Sequence, residues 1–85
     1  MELARKVYVE VEAQFDTEGN VLPLSIRWED GTRYFVERVV DIRRAASFKA
    51  GGTGMRYLVQ IGRHRSYIWR EQDDRWFVEA KSASC

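Results

Sequence analysis

The chain's 85 residues suffice for one domain with one modest core and leave no room for a second. A hydrophobic content of 45% with 13% aromatics excludes disorder, and no stretch approaches the roughly 20 apolar residues of a membrane helix. The net charge of +1 argues against tight electrostatic binding of nucleic acid, but it hides a division: residues 1–41 carry −4, 42–70 carry +7 with no Asp or Glu, and 71–85 carry −2.

Val7, Val9, Val11, Ala13 and Phe15 alternate with polar or amphipathic residues, the period-two mark of a half-buried strand. Gly19-Asn20 can take the positive φ angles of a hairpin loop, after which Leu22, Leu24, Ile26 and Trp28 form a second apolar face. Asp30-Gly31 between hydrophobic runs is the strongest hairpin signal in the chain. The third segment, Thr32 to Arg43, is rich in β-branched and aromatic residues, but its alternation breaks, and a bulge near Glu37-Arg38 would repair it. A helix from Phe35 to Ala50, ended by Gly51, is the rival reading. The β-branched cluster and the lack of a capping residue favour the strand, leaving room for a short helical turn at 44–49.

Residues 50–54 read as a flexible glycine-rich loop, and Met55, Tyr57, Val59 and Ile61 mark a fourth strand. Gly62 to Arg65 turns the chain, Ser66 to Glu71 makes a fifth strand, and Arg75 to Ala80 a sixth. The expected fold is therefore all-β: a six-stranded antiparallel meander closing into a barrel or strongly bent sheet. One domain spans residues 1–80, and 81–85 form a frayed tail.

Catalytic residues are not apparent. His64, the one histidine, lies between Arg63 and Arg65, whose charges favour a neutral, exposed turn residue over a general base. Cys85 is the one cysteine and the last residue, so an internal disulfide or a thiolate metal site has no second member. Acidic pairs at Glu10/Glu12, Glu29/Asp30 and Asp73/Asp74 fit solvated strand faces and turns better than a metal site or acid–base pair. The chain is expected to use no metal or cofactor, to stay off membranes and, with no apolar leader at its start and no disulfide, to be cytoplasmic.

The acid-free stretch offers a binding constellation instead: Arg43, Arg44, Lys49, Arg56, Arg65 and Arg70 interleaved with Phe48, Tyr57, Tyr67 and Trp69. Cations beside exposed rings suit single-stranded nucleic acid, through phosphate contact and base stacking. Gly51, Gly52 and Gly54, between Lys49 and Arg56, could present backbone N–H groups to an anion, although no phosphate-loop spacing surrounds them. The surplus of rings also suits a protein-interaction or structural module with a protein partner or a second copy of itself. That non-enzymatic role is the leading expectation. Weak single-stranded nucleic-acid binding through 42–70 is the alternative, and a small enzyme or anion-binding domain using the glycine loop comes third.

The runs from Leu24 to Val36, Val39 to Arg43, Lys49 to Tyr57 and Arg75 to Glu79 resemble small uncharacterised β-rich bacterial proteins. The part around Trp28, Gly31, Tyr34 and Val36 is also similar to an uncharacterised domain of actinobacterial proteins, some linked to DNA repair. Neither resemblance implies an activity, ligand or site residue.

Overall fold

The computed structural model describes residues 3–46 and 53–82, and among these every regular element is a strand. In chain order they are β1 (Leu3–Phe15), β2 (Val21–Arg27), β3 (Arg33–Phe35), β4 (Arg38–Ala46), β5 (Thr53–Ile61), β6 (His64–Glu71) and β7 (Trp76–Ser82). All pairings are antiparallel, in the order β3-β2-β1-β7-β6-β5-β4.

β1 turns a row of strands into a curl. Its first half, Leu3 to Val9, pairs with β7, and its second half, Glu10 to Phe15, pairs with β2. The two ends of the row, β3 and β4, are joined by only Val36 and Glu37. Val36 N–H donates to the Leu24 carbonyl at 2.9 Å, and Glu37 N–H donates to the Gln60 carbonyl at 2.8 Å. One continuous segment thus leaves β2 and joins β5 within two residues, which draws the sheet into a half-barrel.

The expected third strand is therefore real but divided, which makes seven strands of six. The break falls at Val36-Glu37, close to the expected bulge. The bulge itself lies at Val40, which has no opposite residue because Val39 faces Val59 and Asp41 faces Leu58. The rival helix is not formed: Arg44 to Ala46 are strand, and residues 47–49 of the expected helical turn lie outside the described residues. Thr53 and Gly54 belong to β5 rather than to a loop, and β7 continues through Lys81 and Ser82, two residues expected to fray.

The turns follow local chemistry. Asp16 closes the β1–β2 loop by accepting the backbone N–H of Glu18 at 2.9 Å and of Asn20 at 2.8 Å, while Gly19 takes φ +85°. Asp30 accepts the Thr32 N–H at 2.9 Å beside Gly31 at φ +90°. These contacts hold both carboxyls below the ordinary carboxylate range, the Asn20 N–H acting most strongly on Asp16 and the Thr32 N–H on Asp30.

The inner face of the curl holds the core: Val21, Ile26, Tyr57, Val59, Ile68 and Trp76, with Val9, Val11, Val39 and Met55 packed against them. The Tyr57 and Trp76 rings lie 5.2 Å apart. Alternation places the β1 residues correctly, buried or half-buried at Val7, Val9, Val11 and Ala13 and exposed between them, but not those of β2. Leu24 has no opposite residue, because Ser25 faces Glu12 and Pro23 faces Ala13, and this bulge turns Val21 and Pro23 inward in place of the expected Leu22 and Leu24, leaving Leu24 exposed.

Candidate functional site

A second apolar cluster lies on the opposite, outer face. Residues directly opposite each other in a ladder share a face, and the register links Tyr8 to Phe77, Phe77 to Trp69, Trp69 to Arg56 and Arg56 to Arg43. A row of side chains thus crosses β1, β7, β6, β5 and β4 on the outside of the curl. Tyr8 meets Phe77 edge-on at 6.1 Å, Phe77 stacks on Trp69 at 5.4 Å with rings 4° apart, and Tyr67 leans on Trp69 at 6.1 Å.

The middle of this row is buried and its ends are open. Phe77 is 0% exposed and Trp69 4%, whereas Tyr8 is 41% exposed and Tyr67 44%. Cations cover the rings. Lys6 Nζ lies 4.7 Å from the Phe77 ring centre, the Arg75 guanidinium 3.7 Å from that of Tyr8, and the Arg56 guanidinium 4.5 Å from that of Tyr67. Their aliphatic stems shield rings that a one-faced sheet would leave to water. The charges sit over π faces, where each contact is worth about 0.5–1 kcal/mol at partly exposed sites.

Carboxylates interrupt the cations. Glu71 Oε2 accepts Lys6 Nζ at 3.4 Å, and Asp41 Oδ2 accepts Arg43 Nε at 2.6 Å. The Glu71 carboxylate also accepts the Tyr8 hydroxyl, which with desolvation raises the phenol's pKa above its usual 10.0. Arg56 and Arg75, by contrast, have no carboxylate partner among the described residues. The indole N–H of Trp69 likewise has no acceptor among them. Beside Tyr8 an open groove of about 440 Å³ runs along β1 and β2. Along β1 and β2 its charges are paired: Arg27 faces Glu10 at 3.8 Å, and Arg33 lies 3.4 Å from Glu12, which also accepts the Ser25 hydroxyl at 2.9 Å, while Arg75 lines its other wall.

The sequence-derived constellation is divided by this geometry. Arg43, Arg56 and Arg65 fall on the outer face with Tyr67 and Trp69. Arg44 and Arg70 fall on the opposite one, both facing Met55, and Arg70 donates to Asp74 at 2.6 Å. Lys49, Gly51, Gly52 and Phe48 lie outside the described residues. Gly54 is placed by packing: a Cβ there would stand 2.2 Å from the backbone oxygen of Arg70. Tyr57 is core, and His64 is exposed at the start of β6.

Reading the basic stretch by itself misses Lys6, Tyr8, Arg75 and Phe77, because they lie in the net-acidic segments 1–41 and 71–85, outside 42–70. A signal for them exists. Ile68-Trp69 and Trp76-Phe77 are adjacent apolar pairs inside alternating strands, and two neighbours in a strand can both be buried only if both faces are covered.

No group of three or more His, Cys, Asp or Glu side chains capable of holding a metal occurs among the described residues. No helix among them is long and apolar enough to cross a membrane. No protein-family model, curated protein or solved structure matches the chain.

Proposed function

We propose that this chain is a non-enzymatic, cytoplasmic binding module whose contact surface is the outer-face row of rings and cations. The partner is a protein segment that offers carboxylates beside apolar or aromatic side chains. The observation that carries this reading is the pairing of two half-exposed tyrosines, Tyr8 and Tyr67, with two arginines that lack a carboxylate partner among the described residues. Tyr, Trp and Arg are the residues that interface centres favour, and a rigid ring already seated on its neighbour loses little entropy on binding. A partner carboxylate would meet Arg56 or Arg75 bidentately, which lysine could not match.

Single-stranded nucleic acid is the second reading, favoured by the Arg56 guanidinium over the exposed Tyr67 ring, a platform on which a base could stack. The carboxylates of Asp41 and Glu71 on the same face weigh against it, because a phosphate backbone would have to pass them.

Panning random peptides against the folded chain tests the first reading. Binders should be rich in Asp or Glu next to aromatics and should shift amides of β1, β5, β6 and β7 in NMR spectra. Tyr67→Ala and Arg56→Ala should each weaken them about tenfold or more, a loss of about 1.4 kcal/mol, with the circular dichroism spectrum unchanged. Oligonucleotides that shift the same amides with steep salt dependence, while acidic peptides fail, would establish the second reading instead.

A further inference from the structure

β4 ends the sheet. It pairs with β5 along one side, and among the described residues no strand pairs with its other side. Such an edge is a template for another strand, and proteins usually blunt it with charged side chains, a proline or a bulge. β4 has a bulge at Val40, but its charges are mixed in sign: Asp41 and Arg43 stand two apart on the outer face, flanking half-exposed Ile42.

That order is self-complementary. In an antiparallel pair related by a two-fold axis through Ile42, Ile42 faces its own copy and Asp41 of each chain faces Arg43 of the other. Arg44 then reaches Val40, where the bulge ends the matching of faces, and no like charges oppose one another within this short ladder. Centring the axis on Asp41 sets Asp against Asp, and centring it on Arg43 or Arg44 sets Arg against Arg. A one-residue offset reverses the partner's faces, exposing Ile42 and turning Arg43 inward. The register at Ile42 is therefore the one that pairs opposite charges while keeping inner faces together.

We infer that the chain forms a homodimer by antiparallel pairing of β4 with β4 of a second copy about Ile42. The inference stands apart from the outer-face reading because it uses the backbone edge of the sheet and not the rings. Its geometry does bear on them, since the outer faces of the two copies become one surface and each ring row runs on across the new ladder.

Sedimentation velocity and native mass spectrometry decide the matter through charge exchange. The wild-type chain should have about twice the 10.0 kDa mass of one copy. Asp41→Arg places Arg against Arg, and Arg43→Asp places Asp against Asp, so each variant alone should dissociate at least about tenfold more readily. Mixing the two variants should restore a heterodimer, since the two arginines of the first chain then meet the two aspartates of the second. The double variant D41R/R43D should again self-associate. Circular dichroism of each variant verifies folding; the Asp41–Arg43 contact within one chain is exposed and contributes little to stability. A wild-type monomer at millimolar concentration overturns the inference. So does a dimer that ignores both single substitutions, or one that responds to Tyr67→Ala instead.

Discussion

Gly54 is the residue whose identity the sheet constrains most directly. Its Cα faces β6 so closely that an added Cβ would fall 2.2 Å from the Arg70 carbonyl oxygen, with the Arg70 carbonyl carbon at 3.0 Å. Backbone cannot swing away as a side chain can, so Gly54→Ala should destabilise the fold by about 1–3 kcal/mol. Urea denaturation of the variant measures this, and an unchanged midpoint would refute the close approach. Two turn carboxylates supply a pH dependence at the same scale. Asp16 and Asp30 have folded pKa values below 3.8 because backbone N–H groups favour their charged forms. Their contribution is therefore complete above that value and disappears as pH falls through the lowered ones. Thermal melts should show stability declining below pH 3.8, with a shallower decline in Asp16→Asn and Asp30→Asn. In all three cases the residue type hinted at the turn or loop, but only for the aspartates was the local partner inferable. The clash at Gly54 depends on a strand met 16 residues later, which no local pattern reveals.

The strands were legible where no bulge intervened. β1 alternates from Val7 to Ala13, although Phe15, expected on the same apolar face, is exposed, and Asp30-Gly31 marks the reversal into β3, whereas the bulge at Leu24 hid which face of β2 is buried. The β6–β7 hairpin is different, because Ile68 and Trp76 enter the core while Trp69 and Phe77 fill the outer row. Counting apolar residues along one face therefore yields half of what this hairpin buries. Removing the outer half should be costly despite its place on the outside: Phe77→Ala should lose about 3–5 kcal/mol, a full core penalty. Tyr67→Ala, at the open end of the row, should lose about 1 kcal/mol or less. Comparing the two by chemical denaturation separates the part of the row that holds the sheet together from the part free to meet a partner. Similar losses for both would show that the row has no such division. The candidate site was half legible for the same reason. Arg56, Tyr67 and Trp69 were visible as an interleaved group, whereas Tyr8, Lys6, Arg75 and Phe77 join them only through pairing between β1 and β7.

At the scale of the whole molecule, β1 and the β3–β4 segment each serve two neighbours, and the curl depends on both. Glu37 N–H is the first bond of β3–β4 to its second neighbour, Gln60. Glu37→Pro removes that donor where the chain changes partners and should lower the melting temperature, whereas Glu37→Ala should leave it nearly unchanged. The division of acidic and acid-free segments, so plain in the sequence, did not become a division of surfaces. Arg43 and Arg70 of the acid-free stretch pair with Asp41 and Asp74 of the acidic ones. The register of β1 with β7 reaches further, into how the molecule is made. Leu3 lies opposite Ser82, so one flank of β1 is completed by a strand far along the sequence. A ladder between strands so distant carries a loop-closure cost and slows folding. Emerging from the ribosome, β1 can pair with β2 but must keep its other edge unsatisfied until β7 has followed. Joining the termini with a short flexible linker and reopening the chain between Val36 and Glu37, which join two strands that do not pair with each other, would make every ladder local. Stopped-flow refolding of this circular permutant should be faster than that of the natural order, with the same final spectrum.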